Sequence, residues 1–110
     1  GSIAAGDIGQ HFPDTDDQYK NISSSLLLAA SHQLLLDDDY SIMNIDASII
    51  AQTPKMSPYI LPMREHLARV LKLSLSQINI KATTTEKLGF IGREEGIAVH
   101  CVVMVYRKLI

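Results

Sequence analysis

The sequence predicts an α+β fold in which helices pack on one face of a mixed β-sheet. Three observations lead there. A clean polar/apolar alternation over residues 41–51 gives a strand with a two-residue period. Two segments, one following Ser23 and ending at Asp37-Asp38-Asp39 and one from Pro58 through Leu71, carry apolar residues at helical spacing, and apolar strand-like segments near 77–83 and 97–107 accompany them. Strands and helices interleave without an internal repeat, as in a sheet covered by helices.

Length and composition bound the rest. The chain has 110 residues, 46% hydrophobic and 20% charged, so it reads as one globular domain over residues 1–110 rather than a disordered segment. A net charge of -2 offers no basic field, so nucleic acid is not an expected partner. The lone Cys101 cannot form an internal disulfide, which fits a reducing, cytoplasmic setting. The apolar run from Ile97 to Tyr106 is interrupted by His100 and is too short to span a bilayer as a helix, so no membrane anchor is expected. "GSIAAGDIGQ" has neither a charged leader nor a cleavage pattern and does not read as a signal peptide.

Taken in order, Gly6 to Asp17, "GDIGQHFPDTDD", is rich in Gly, Pro and Asp and reads as a loop. Ser23 is the expected N-cap of a helix with Leu27, Ala30 and Leu34 on its apolar side, ending at Asp37-Asp38-Asp39. In the strand "SIMNIDASIIA", Met43, Ile45, Ala47, Ile49 and Ala51 share one face, and Asn44, Asp46 and Ser48 the other. A polar second face suits water or another subunit. "QTPKMSP" breaks this strand, and Ser57-Pro58 reads as N-cap and first helical residue. Ile60, Met63, Leu67 and Leu71 form the buried stripe, while Pro62 predicts an irregular first turn. A strand over Gln77–Thr83 and a last strand over Ile97–Arg107 complete the set; the last is apolar on both faces, as a central strand would be.

Several residues invite chemistry, and each also has a plain structural reading. Thr83 and Glu86 stand at capping-box spacing before Leu88, and taken alone that reading is favoured. The same geometry, free N–H groups and hydroxyls with a carboxylate beside them, can hold phosphate oxygens and a divalent cation. Residues 51–57, "AQTPKMS", form either an ordinary strand-to-helix connection or a loop presenting backbone groups to a base edge. His11, Asp14 and Asp16 fall short of a zinc ligand set. His32 and His66 read as helix-surface residues and His100 as a packed core histidine. The four methionines follow no cofactor pattern, and Cys101 has no base partner in sequence.

Three segments, "GDIGQHFPDTD" at 6–16, "IIAQTPKMSPYI" at 49–60 and "INIKATTTEKLGFIGREEGIA" at 78–98, together resemble the 2-C-methyl-D-erythritol 2,4-cyclodiphosphate synthases of non-mevalonate isoprenoid synthesis. Their order and separation fit that family along the whole chain. The resemblance implies a lyase that turns 4-diphosphocytidyl-2-C-methyl-D-erythritol 2-phosphate into the 2,4-cyclodiphosphate and CMP. Asp7, Ile8 and Gly9 would hold the ribose, and Phe12, Pro13, Asp14, Thr15 and Asp16 a mobile loop over the methylerythritol end. Ala51, Gln52, Thr53, Pro54, Lys55, Met56 and Ser57 would form the cytosine pocket, read largely through backbone, with Lys55 near the nucleotide. Thr83, Thr84 and Thr85 would face phosphate, Thr84 stabilising the transition state, and Glu86 would bind Mg²⁺ or Mn²⁺.

Phe90 and Arg93 would point to the centre of a homotrimer with active sites between subunits. Thr53 and Ser57 stand where relatives often have other small or apolar residues, a change that backbone recognition tolerates. The family's zinc site uses an Asp-x-His pair and a further His, none of which has a counterpart in this sequence. "GSIAA" resembles the end of the helix that precedes "GDIG", so the chain is expected to lack roughly the N-terminal third of the family's length. A non-catalytic module that binds cytidine nucleotides or forms trimers without zinc chemistry is the alternative.

Overall fold

A computed structural model describes residues 1–107 of the chain. They fall into two compact units, Gly1–Ile42 with the end of the last strand from Val105, and Met43–Met104.

In the first unit, the expected loop over Gly6–Asp17 instead contains a one-turn helix, α1 (Ile8–His11), and the start of a 3₁₀ turn at Asp17–Tyr19. Asp7 and Gln10 are the cause. The Asp7 carboxylate accepts from the Gln10 N–H at 3.0 Å while Gln10 Oε1 accepts from the Asp7 N–H at 3.3 Å, a reciprocal capping box. The helix α2 (Ser24–Asp37) begins as expected, with the Ser23 hydroxyl accepting from the Leu26 N–H at 3.2 Å. Leu27, Ala30 and Leu34 are half-buried along it. Arg107 lies 4.5 Å over the Tyr40 ring and 3.5 Å from Asp38, placing its guanidinium between an aromatic face and a carboxylate.

The three strands are β1 (Tyr40–Ile50), β2 (Ile78–Thr83) and β3 (Ala98–Arg107), in the order β2-β1-β3 within one mixed sheet. β1 and β2 run parallel, with Ile45 opposite Ile78, Ala47 opposite Ile80 and Ile50 opposite Thr83. Ile45, Ala47 and Ile49 are buried as the alternation predicts, but Met43 is 52% exposed and Ile42 is buried in its place. Two successive exposed residues, Met43 and Asn44, break the phase of the pleat there.

The expected central position of the last strand is also corrected. β1 occupies the centre, β3 lies at the edge, and His100 is exposed rather than packed in a core. Val99, Val102, Met104 and Tyr106 are each left about half exposed or more, at 58%, 70%, 55% and 46%. Apolar character on both faces therefore marks surface that this chain alone leaves uncovered.

The helix α3 (Ser57–Leu71) covers the apolar face of β1 and β2. Met56, Ile60, Met63 and Leu67 pack against the cluster Ala47, Ile49, Ala51, Ile78 and Ile80. Leu71 and Ile78 are each only 2% exposed, and burying a leucine to that degree stabilises by about 1.5–3 kcal/mol. The helix begins one residue earlier than expected, with Met56 as N-cap and no side-chain cap, so Ser57 is its first residue. An i→i−3 bond from the Tyr59 N–H to Met56 O at 2.8 Å tightens the first turn, and Pro62 is carried within the helix. At the other end Lys72 takes a left-handed φ of 55° and the Leu73 N–H reaches Ala68 O at 3.0 Å. Arg64 ties α3 to β2, donating to Ile78 O at 2.7 Å and Leu75 O at 2.8 Å. Facing the sheet, α3 lines an apolar cavity of about 450 Å³ with His66 among its walls.

Candidate functional site

Parallel pairing of β1 and β2 brings two segments far apart in sequence, starting at Ala51 and Thr83, to the same end of the sheet. Pairing runs through Ile50 and Thr83, and the Ala51 N–H then donates to Thr83 O at 3.0 Å. The loop 51–57 and the threonine turn 83–88 therefore leave the sheet side by side. The open end past parallel strands is a general location for binding groups.

In the loop, Ala51 is 5% exposed and has little but backbone to offer a ligand, while the half-buried Met56 packs against the core. Thr53, Pro54, Lys55 and Ser57 are exposed, Gln52 is half-buried, and the Thr53–Pro54 peptide is cis.

The turn departs from the capping-box expectation. A short helix, α4 (Gly89–Gly92), starts later, with Leu88 as N-cap and no side-chain cap bond. Glu86 and Lys87 have φ of 54° and 65°, so neither can lie in the first turn of a right-handed helix. The hydroxyls hold this turn instead. Thr84 Oγ1 accepts from the Glu86 N–H at 3.2 Å, Thr85 Oγ1 donates to Leu88 O at 2.7 Å, and Thr83 Oγ1 donates to Thr84 O at 3.3 Å.

This distribution separates the three threonines chemically. Thr85 is half-buried and its proton is engaged by Leu88, whereas Thr84 is exposed and uses its oxygen as an acceptor. Its hydroxyl proton can still be donated to an anion. The Glu86 side chain is exposed beside it. One carboxylate with room for phosphate oxygens and water fits the way Mg²⁺ is commonly held.

Farther on, Phe90 is 54% exposed, and Arg93 Nε donates to Glu95 Oε1 at 2.9 Å. Gly96 gives the Phe90 ring its place, since a Cβ there would lie 3.1 Å from Phe90 Cε2. Cys101 is exposed, and desolvation followed by the charge of Asp46 holds its thiol above the ordinary range. That is the reverse of an activated nucleophile.

The segment 7–16 is built separately within the first unit. Asp7 is engaged as the α1 cap, Ile8 is 60% exposed, and Gly9 has only Asp7 Oδ1, at 3.5 Å, near its missing Cβ. The His11 imidazole Nε2 donates to Ala5 O at 2.6 Å; a carbonyl only accepts, so this nitrogen carries the proton. Phe12 meets Tyr19 edge-on at 5.3 Å. Pro13 O accepts from the Asp16 N–H at 3.1 Å, while the Asp16 carboxylate accepts from the Gln18 N–H at 3.1 Å and side chain at 2.9 Å. Asp14 and Thr15 are exposed. Among the described residues no three His, Cys, Asp or Glu side chains gather as a possible ligand set.

A side-chain contact joins the loop to the turn. Gln52 Oε1 accepts from the Lys87 N–H at 3.0 Å across a separation of 35 residues. No local pattern announces it; only the strand pairing does.

Comparison with known proteins adds to this geometry. The profile of the YgbB family matches residues 1–106. A 2-C-methyl-D-erythritol 2,4-cyclodiphosphate synthase of Francisella tularensis subsp. novicida is 61% identical over 107 residues, covering 97% of this chain and 67% of the relative. The chain thus spans about two thirds of the length of such relatives. Among solved structures, the bifunctional IspDF of Campylobacter jejuni superposes with a TM-score of 0.88 at 43% identity, covering 94% of this chain and 28% of that one. IspF of Plasmodium falciparum, in a CDP complex, gives a TM-score of 0.86 at 33% identity, covering 99% and 65%. On residues 1–106 and this degree of identity, the chain belongs to the YgbB family, that of the 2-C-methyl-D-erythritol 2,4-cyclodiphosphate synthases.

Proposed function

We propose that this chain supplies the cytidine and phosphate end of a cyclodiphosphate synthase. The substrate would be 4-diphosphocytidyl-2-C-methyl-D-erythritol 2-phosphate, and the products the 2,4-cyclodiphosphate and CMP. The observation that carries the reading is the side-by-side exit of the loop 51–57 and the threonine turn, joined at Ala51 N–H and Thr83 O at 3.0 Å. A nucleoside diphosphate needs a base site and a phosphate site at one fixed separation, and a rigid parallel pair provides that. The Plasmodium falciparum relative in complex with CDP supports the ligand class.

In the reaction, an oxygen of the substrate's 2-phosphate attacks the diphosphate phosphorus on the erythritol side. The bond from that phosphorus to the bridging oxygen breaks, and the oxygen leaves with CMP. Phosphoryl transfer of this kind needs alignment and charge neutralisation more than covalent help from protein. The loop 51–57 holds the base. Thr84 donates its hydroxyl proton to a non-bridging oxygen, and Thr83 sits at the entry of the same turn. Thr85 keeps the turn in shape. Asp7, Ile8, Gly9 and residues 12–16 are assigned to the ribose and erythritol ends. Glu86 would hold Mg²⁺ or Mn²⁺, which when bound neutralises charge on the diphosphate. Zinc finds no ligand set among the described residues, and no step here runs through it.

The polar second face of β1 and β2 and the exposed apolar residues of β3 support assembly as a homotrimer with sites between subunits, Phe90 and Arg93 toward its centre. Among the described residues no helix is long and apolar enough to cross a membrane; the cytoplasmic setting is proposed from the lone Cys101, which forms no internal disulfide.

Calorimetry of the intact chain with CDP and Mn²⁺ tests the reading, together with a CMP-release assay on the full-length protein. Glu86→Gln should abolish the metal-dependent part of both while leaving the fold intact. Equal metal dependence in wild type and variant would reduce Glu86 to a turn residue. The alternative is a module that binds cytidine nucleotides or forms trimers without zinc chemistry. It predicts CDP binding without turnover.

A further inference from the structure

We propose that Gln52 is a positioning residue that couples the base loop to the phosphate turn, a role resting on the reading of this site as one for a cytidine diphosphate. Its side-chain oxygen is engaged within the protein, on the Lys87 N–H at 3.0 Å. Glu86 and Lys87 form two consecutive left-handed positions without glycine, at φ of 54° and 65°, a conformation that persists only where neighbours over-determine it. The first of the two has its N–H held by Thr84 Oγ1 at 3.2 Å, and the second has its N–H held by Gln52.

Lys87 is confined from another direction by α4. A Cβ at Gly92 would lie 2.6 Å from both Lys87 Cα and Lys87 O, so the turn backbone rests against a residue that has no side chain. Held at its N–H by Gln52 and packed at its Cα and carbonyl against Gly92, Lys87 constrains the backbone from which Glu86 projects. Gln52 itself follows Ala51, whose N–H is bonded to Thr83 O at 3.0 Å. The residue that carries the base loop therefore also holds the turn carrying the phosphate donors. A ligand that engages only the base should be indifferent to the bond, whereas one that spans both segments depends on it.

The experiment compares Gln52→Met, of similar length but without an acceptor, with Gln52→Glu, which keeps one. Amide hydrogen exchange at Lys87 and binding of CDP and of cytidine, both with Mn²⁺ present, are measured on the intact chain. Gln52→Met should speed Lys87 exchange and weaken CDP by about tenfold more than it weakens cytidine, the scale of one hydrogen bond. Gln52→Glu should restore Lys87 protection. Unchanged exchange at Ile49 and Ile78 shows that each variant is folded. The proposal is overturned if Lys87 exchange is the same in Gln52→Met, or if CDP and cytidine weaken equally, which would make Gln52 a base contact. It also falls if the methionine variant loses the core protection while the glutamate variant leaves the CDP-to-cytidine ratio and Lys87 exchange unrestored. A wild-type chain that binds neither ligand removes the nucleotide reading and the coupling with it. Binding of both with no preference lost in the variant removes the coupling alone.

Discussion

Lys81 Nζ lies 2.9 Å from Asp46 Oδ2, joining β2 to β1 on the face of the sheet turned away from α3. Asn79 donates to the other oxygen of the same carboxylate at 3.0 Å. The bond from Lys81, then that from Asn79, hold the Asp46 carboxyl below its usual range. A carboxylate with a lowered folded pKa contributes stability above its unfolded pKa and loses it as pH falls through the folded one. Both partners are well exposed, so the contribution is small and screened by salt. Lys81→Ala should move the Asp46 titration upward toward an ordinary carboxylate in an NMR titration. An unmoved midpoint would show that Asn79 alone sets it.

Leu71 tests the packing on the opposite face. At 2% exposure it is buried at the C-terminal end of α3, as deeply as Ile78 is in β2. Leu71→Ala should cost about 2–5 kcal/mol through lost burial and the cavity left behind. Chemical denaturation measures it, and a loss below about 1 kcal/mol would mean that the site collapses onto the smaller side chain.

These two faces also show how far the sequence reaches. The alternation of Ile45, Ala47 and Ile49 with polar neighbours identifies β1 and its buried side, because a strand packed on one helix layer has to alternate. Met43 breaks the pattern because a shift in pleat phase leaves no mark in hydrophobicity. β3 reads as central because apolar composition records that something covers a strand, not which neighbour does so. α1 was legible in principle, since Asp7-x-x-Gln10 is a capping-box spacing, but the Gly, Pro and Asp around it point to a loop. The segments 51–57 and 83–86 stand out by residue type, yet their proximity follows from the parallel register, which no single segment encodes. The bond from Lys87 to Gln52 lies farthest from view, because it needs that register and two left-handed residues together.

Gly92 carries a prediction of its own. Alanine is intrinsically favoured over glycine in a helix by about 1 kcal/mol, so Gly92→Ala would stabilise a free α4. Here the added Cβ would meet the Lys87 backbone, 2.6 Å from its Cα, and overpacking of this kind costs about 1–3 kcal/mol. The expected result is net destabilisation with faster amide exchange at Lys87. A more stable variant with unchanged exchange would show that the turn moves aside freely.

The threonines give the sharpest test, because adjacent residues of one type are assigned different tasks. Thr84 is exposed and accepts from the Glu86 N–H at 3.2 Å, leaving its proton available, while the Thr85 proton is engaged by Leu88 O at 2.7 Å. Valine keeps the shape of threonine and removes the hydroxyl. Thr84→Val should therefore weaken CDP by about tenfold or more, since a hydrogen bond to a charged oxygen contributes about 1.5–3 kcal/mol. Cytidine binding should stay near wild type. Thr84→Ser retains both hydrogen-bonding functions and should recover most of the CDP affinity. Thr85→Val breaks the bond that closes the turn, so it should lower stability by about 1 kcal/mol and weaken CDP less than Thr84→Val does. Unfolding curves and paired CDP and cytidine titrations read both effects. If Thr85→Val proved the more damaging to CDP binding with stability unchanged, the donor to phosphate would be Thr85, and the proton assigned to Leu88 would have to turn toward the ligand.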